Sequence, residues 1–348
     1  MPSAVRALAA RWRANGRERR LVDAAARAVR ALGGDLAIPM PEVAVRLDPA
    51  IPYVHDALIH RHRGGLEVRL SSYDPGATRQ YGAERLRSYV YWMLHTSAAV
   101  EAISVTLSDG DLPSAATFSP SPRLPEVTAL PDPIFFESRG YAGERKLGLA
   151  QGLPWPERSP ALVWRGGTNS QLSFDADLVE GHPELCSQRL LACLLLRGAR
   201  ETDVKFVSPR HRGASPAVYE RLGIAGTSVP QASWLERKYA LDIDGYSNAW
   251  SNLFTRLLFG CCVLKVESRL GFRQWYYERL KPWEHYVPVK ADLSDLLAQL
   301  DWVRGHDAES REIAQRGRRL ALEMTLSATT GEAVALIEAN WRRQRGPQ

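Results

Sequence analysis

Two aspartates flank a glycine at Asp109-Gly110-Asp111, just after the short β-branched run Ile103-Ser-Val-Thr-Leu107. Carboxylates so placed allow two chemistries. As a pair they could hold Mg²⁺ or Mn²⁺ beside a diphosphate. Singly, one of them could act as general base, taking the proton from a hydroxyl as that hydroxyl attacks a sugar. Asp and Gly are also favoured in plain turns for backbone reasons. The triplet alone leaves all three readings open.

Other groups suit an anionic substrate. Arg165-Gly166-Gly167 follows the apolar Ala161-Leu-Val-Trp164. A guanidinium forks onto diphosphate oxygens, and glycines let a backbone approach them. A turn after a buried strand would use the same residues. Asp242-Ile-Asp-Gly-Tyr-Ser-Asn-Ala-Trp-Ser-Asn252 lies between an expected strand and an expected helix. The N–H groups of such a helix start attract anions. Gly245, Ser247, Asn248, Ser251 and Asn252 are the candidate contributors there, with helix capping by Ser247 or Asn248 as the structural alternative. Lys265 and Glu267 straddle the end of the next strand. The lysine could hold phosphate and the glutamate accept from ribose hydroxyls, or the two belong to a salt-bridged strand end.

The stretch Lys281-Pro-Trp-Glu-His-Tyr-Val-Pro-Val289 packs two prolines, two aromatics and a histidine into nine residues. Each proline fixes a dihedral and removes a donor, so the segment is expected to form a wall against which something packs. Upstream lie Lys238-Tyr-Ala-Leu-Asp-Ile-Asp-Gly245, Trp250-Ser-Asn252 and Cys262-Val-Leu-Lys-Val-Glu-Ser268. The order and spacing of these blocks resemble the signature of glycosyltransferase family 90. That family includes capsule-associated transferases, lipopolysaccharide-modifying proteins and protein O-glucosyltransferases.

The resemblance implies a GT-B architecture, two Rossmann-like domains facing a cleft, and an inverting transfer that needs no metal and no other cofactor. It matches the family's catalytic aspartate to Asp109, with Asp111 as runner-up. It assigns the nucleotide-sugar to Arg165, Gly166, Gly167, Gly245, Ser247, Asn248, Ser251, Asn252, Lys265 and Glu267. It implies a UDP-sugar donor and, as acceptor, a hydroxyl of a cell-envelope glycan such as lipopolysaccharide or capsule. There are departures. Gly167 replaces a small hydroxyl residue, Asn252 stands where many members carry arginine, and a further arginine after the Arg-Gly-Ser block has no match. Arg256, one turn beyond Asn252, is a candidate substitute. The lost cations suggest an alternative, a degenerate member that grips glycans or nucleotide-sugars without turnover.

The elements that must position these groups follow from periodicity. Leu66–Ser71, Ile103–Leu107, Ala161–Trp164, Asp203–Val207, Tyr239–Ile243 and Cys262–Val266 read as strands. Ala4–Leu32, Ala83–Val100, Pro183–Arg197, Ala249–Phe259, Leu293–Val303, Ala308–Glu323 and Gly331–Trp341 read as helices. Alternation of the two predicts mostly parallel sheets with helices on both faces. Six prolines between Pro113 and Pro133 mark a long loop. The expected domains are 1–150 on the acceptor side, 151–325 for the nucleotide-sugar, and a closing helix in 326–348 that packs back on the first.

Length and composition bound the rest. The chain has 348 residues, 45% of them hydrophobic, enough for two ordinary domains. A net charge of +6 suits anionic partners without selecting one. Nucleic acid is disfavoured as a partner, because the aromatics do not interleave with a basic stripe. Cys186, Cys193, Cys261 and Cys262 form no CxxC pair and read as buried thiols. Arginines from Arg6 to Arg20 are unlike a signal peptide, and a cytoplasmic protein is expected. The basic first helix could rest on the inner face of a membrane, or simply be a solvated face.

Overall fold

The computed structural model describes residues 3–36, 38–62, 64–72, 83–207 and 215–345. The chain divides into two units, Met1–Glu137 with Ser327–Gln348, and Ser138–Leu326.

The first unit begins with one long helix, α1 (Ser3–Leu36). Leu21, Ala25, Val29 and Leu32 are buried at helical spacing, so one stripe of α1 faces the core. The side chains of Arg6, Arg11, Arg13 and Arg17 lie outside the described residues. The sheet contains β1 (Val43–Asp48), β2 (Asp56–His62), β3 (Gly65–Ser71), β4 (Ala102–Thr106), β5 (Phe118–Ser119) and β6 (Thr128–Ala129), with α2 (Leu86–His95) and α3 (Pro133–Glu137) completing the layers. The strand order is β1-β3-β2-β4-β5-β6. β2 runs antiparallel to both β3 and β4, and the other pairs are parallel. This sheet is therefore mixed, where alternation predicted mostly parallel pairing. The cause is the antiparallel pairing of β2 with β3 and β4, which needs no crossover helix.

The second unit carries α4 (Ala142–Gln151), β7 (Leu162–Gly166), α5 (Gln188–Leu196), β8 (Thr202–Val207), α6 (Pro216–Arg221), β9 (Ala225–Gly226), β10 (Tyr239–Asp242), α7 (Trp250–Leu258), β11 (Cys262–Val266), β12 (Val287–Val289), α8 (Leu296–Gly305) and α9 (Asp307–Glu323). Every pairing is parallel, in the order β12-β11-β10-β7-β8-β9. This is the doubly wound order, and it reverses between β7 and β10. All of β10 and β11 is buried, as central parallel strands require. Leu190, Cys193, Val204, Phe206, Leu241 and Leu264 join one apolar core, each large side chain contributing about 1.5–3 kcal/mol by leaving water. All four cysteines are buried free thiols.

The boundary falls at Glu137, not at 150. Residues after it are tied to the second unit. Tyr141 packs on Phe254 with centroids 5.1 Å apart, and Arg145 donates to the carbonyls of Ala321, Leu322 and Met324. The closing helix α10 (Leu326–Arg345) belongs with the first unit, where Glu338 accepts from Ser97 N and Arg345 from its end reaches Glu101.

Candidate functional site

In the first unit Asp109 follows the end of β4. The loop that carries it is held on several sides. Gly110 adopts φ +90°, and a Cβ there would sit 2.1 Å from Ser121 O, so only glycine fits. Gly110 N donates to Ser108 Oγ at 3.1 Å. Buried Asp56 accepts from Ser114 Oγ at 2.7 Å and Ala115 N at 2.8 Å, fixing the loop beyond Asp111. Burial raises the Asp56 pKa, and these bonds oppose the shift. Asp109 Oδ1 accepts from Arg85 Nη2 at 2.7 Å, and its side chain stays partly exposed. A cavity of about 170 Å³ opens beside Gly110, lined by Tyr53, Pro113, Ser119 and Arg123. Among the described residues no three His, Cys, Asp or Glu side chains are grouped to hold a metal ion.

In the second unit the strand ends at the switch point are tied together by the start of α5. Ser187 caps this helix. Gln188 Nε2 donates to the carbonyls of Glu267 (2.9 Å) and Ala291 (2.7 Å), beyond β11 and β12. Buried Arg189 donates to Gly167 O (3.0 Å) beyond β7, and to Ile243 O (3.3 Å) and Asp244 O (2.7 Å) beyond β10. Its guanidinium also lies over the Trp164 ring, 5.6 Å from the centroid. Burial lowers its pKa to about 10, so it stays cationic at neutral pH. Two consecutive side chains thus hold four strand ends.

Beside these ends opens a cavity of about 650 Å³. Its lining includes Lys265 and Glu267 together with Pro282, Trp283, Tyr286 and Pro288, so the proline-aromatic segment does form part of the wall. Lys265 is buried, with Nζ 4.2 Å from the centroid of the Tyr277 ring. Behind it stand Asp242 and Asp244, whose pKa values are raised by burial, with Lys265 opposing the shift in both.

The assigned donor residues meet different fates. Gly166 ends β7 opposite Phe206, and Gly167 contributes its carbonyl to Arg189. Arg165 points away from the switch point. Successive side chains of a strand face opposite sides, and Trp164 takes the side toward Arg189. Arg165 therefore lies over β8, where it pairs with the Asp203 carboxylate and donates to Asp203 O (2.6 Å) and Thr227 O (2.9 Å). It is a sheet clamp. Asn252 spends its amide on Leu241 O (3.1 Å) and Asp242 Oδ1 (2.9 Å). Asn248 donates to Asp244 Oδ1 and Phe272 O, and Ser247 is buried with its carbonyl bonded to Gly245 N. Neither caps α7, whose N-cap residue is Ala249. Ser251 O accepts from Thr255 Oγ1. Arg256 stacks on Trp234, 3.6 Å from the ring centroid, and cannot replace a missing phosphate ligand from there. His285 accepts from Lys281 N and shapes its own turn. Of the donor set, Lys265 and Glu267 reach the cavity. Gln188, Arg189 and Tyr277 were not read from the sequence. Ser187-Gln-Arg189 has a capping serine as its only local signal, and the role of the two side chains depends on distant carbonyls.

The model of glycosyl transferase family 90 matches residues 146–328. Uncharacterized protein 179R of Invertebrate iridescent virus 6 is 32% identical over 183 residues, covering 47% of this chain and 15% of the viral protein. Protein O-glucosyltransferase 3 of Rattus norvegicus is 38% identical over 88 residues, 25% of this chain and 16% of that one. The chain therefore spans a small part of the length of these relatives. Among solved structures, Anabaena HepE in complex with UDP and glucose aligns over 57% of this chain and 52% of its own, with 13% identity and a TM-score of 0.35. The family model covers more than half of the residues, and the chain belongs to glycosyl transferase family 90.

Proposed function

We propose that the protein transfers a sugar from a nucleotide-sugar, a UDP-sugar, to a hydroxyl of a cell-envelope glycan, with inversion and without a metal. The observation that carries this reading is the cavity beside the carboxyl ends of a doubly wound sheet, lined by Lys265, Glu267, Trp283 and Tyr286. Ligands of such sheets bind outside the carboxyl ends of the strands. A lysine suits phosphate, a carboxylate suits ribose hydroxyls, and aromatic rings suit a base or a sugar face.

In the reaction the acceptor hydroxyl gives its proton to Asp109 Oδ2. Its oxygen forms the new bond to the anomeric carbon while the bond to the diphosphate oxygen breaks. The nucleoside diphosphate leaves with the electron pair. One displacement gives one inversion. The relatives named protein O-glucosyltransferases support a second acceptor class, a protein hydroxyl, with the same chemistry. The spent donors of Arg165 and Asn252 favour a rival reading, binding without turnover. The reaction is assigned to the cytoplasm, with the basic α1 touching an anionic membrane; exposed Arg19 and Arg20 support that contact.

The test is a thermal-shift and calorimetric series with UDP, UDP-sugars and other nucleotide-sugars. A ligand at 100 times its dissociation constant stabilises by about 2.7 kcal/mol. Stabilisation by a UDP-sugar that is lost in Lys265→Met is the expected result. Turnover is then followed with glycan and with Ser/Thr peptide acceptors. No stabilisation by any nucleotide overturns the reading, and tight binding with neither transfer nor hydrolysis selects the rival.

A further inference from the structure

Arg85 ends the short 3-10 turn Ala83–Arg85 that leads into α2. It reaches across to the end of β4 with two arms. Nη1 donates to Leu107 O at 2.8 Å and Nη2 to Asp109 Oδ1 at 2.7 Å. The backbone of Arg85 is itself fixed, since Ser88 Oγ donates to its carbonyl at 3.0 Å. One planar cation thus grips both the strand end and the carboxylate that follows it. Oδ1 is taken, and Oδ2 accepts no hydrogen bond among the described residues.

We propose that Arg85 is the positioning residue of acceptor deprotonation: it fixes the Asp109 carboxylate so that Oδ2 is the oxygen presented to the acceptor hydroxyl. This rests on Asp109 being the base. The need for such a device is physical. Asp109 precedes a glycine in a loop, and an aspartate side chain rotates about two bonds. A displacement of 1 Å at a reacting group can cost about 10²-fold in rate. The clamp on Leu107 O references the carboxylate to the sheet. A lysine cannot reproduce it, because an ammonium is a point charge without the planar fork. The pair is partly exposed, so its contribution to stability is small, and kinetic loss separates from unfolding.

The experiment compares Asp109→Asn, Arg85→Ala and Arg85→Lys in the full chain, with thermal unfolding measured for each. Arg85→Ala is expected to lower kcat by about 10²-fold, with the KM for nucleotide-sugar unchanged and the unfolding temperature close to wild type. Guanidinium ion at sub-denaturing concentration should restore part of kcat in Arg85→Ala and none in Asp109→Asn. A purely structural arginine would not give that pattern. If Asp109→Asn turns over normally, the base assignment falls, and this proposal with it. If Asp109→Asn is inactive while Arg85→Ala keeps full kcat, only the role of Arg85 is overturned. Should Arg85→Ala fail to fold, Arg85→Lys decides, because full kcat in that variant refutes the two-armed clamp.

Discussion

The Arg189 guanidinium fills the space in which a side chain at Gly245 would stand: a Cβ built on Gly245 lies 2.9 Å from Nη2. The far end of a free arginine would move aside cheaply. This one is held by Gly167 O, Ile243 O and Asp244 O. Gly245→Ala must therefore displace a pinned cation at the switch point. The expected cost is about 1–3 kcal/mol, as for other overpacked sites, read from urea denaturation. The same variant should bind nucleotide more weakly, since the displaced guanidinium releases the loops after β7 and β10. A Gly245→Ala protein as stable as wild type would show that Arg189 is not held as described.

Arg165 and Lys265, both assigned to the nucleotide-sugar, should differ in what they do. The Arg165 donors are committed to Asp203 and Thr227, while Lys265 lines the cavity. Arg165→Ala is expected to leave the nucleotide dissociation constant within about threefold. Its effect appears in stability, near the 1 kcal/mol of ordinary intramolecular bonds. Lys265→Met should weaken nucleotide binding by about 1.5–3 kcal/mol, the range for a lost charge-assisted bond. Isothermal titration with UDP measures both. A large affinity loss in Arg165→Ala would mean that its guanidinium swings from Asp203 to the ligand.

The contrast between these two residues shows where the sequence was legible. The strand–helix alternation from Leu162 onward follows local periodicity, and the structure has those elements within a few residues. Cys262–Val266 is mostly apolar and follows the break at Gly260, and it is β11. The wall at Lys281–Val289 was legible because prolines and aromatics declare themselves without partners. The placement of Arg165 over β8 was not legible, because a side chain's face depends on strand parity against a neighbour, here Trp164. Arg189 was missed because its function is to bind carbonyls from two distant loops. β1 and β2 were also passed over. In β2, Asp56 and His60 interrupt the apolar pattern, and both are satisfied by remote partners, Ser114 and Glu67. Local pattern yields elements; the site is made of long-range hydrogen bonds.

The buried Asp242 gives a pH test. Burial raises its folded pKa above the ordinary carboxylate value of about 3.9. Folding thus favours the protonated form. That contribution is fully present below pH ~3.9 and is lost as pH rises through the higher folded value. Asp242→Asn cannot titrate and keeps an oxygen for Asn252 Nδ2. Its stability relative to wild type should therefore improve from acid toward neutral pH. Urea denaturation of both proteins across that range gives the difference directly. A difference that runs the other way would mean that the attraction of Lys265 outweighs burial.

Metal removal tests the Asp109-Gly110-Asp111 triplet. A divalent ion bridging the two carboxylates would need the oxygens of Asp109 free of other cations. Here Oδ1 already holds the Arg85 guanidinium at 2.7 Å. A second cation beside it would meet the repulsion of like charges in a partly buried loop. The backbone between the carboxylates is also fixed, since Gly110 is locked against Ser121 at positive φ. Transfer is therefore expected to proceed at an unchanged rate in saturating EDTA, and Asp111→Asn to retain most of its kcat. Initial rates with and without chelator, for wild type and Asp111→Asn, provide the check. Loss of activity on chelation, restored by Mn²⁺ or Mg²⁺ and absent in Asp111→Asn, would show that the ion displaces Arg85 and that both carboxylates are its ligands.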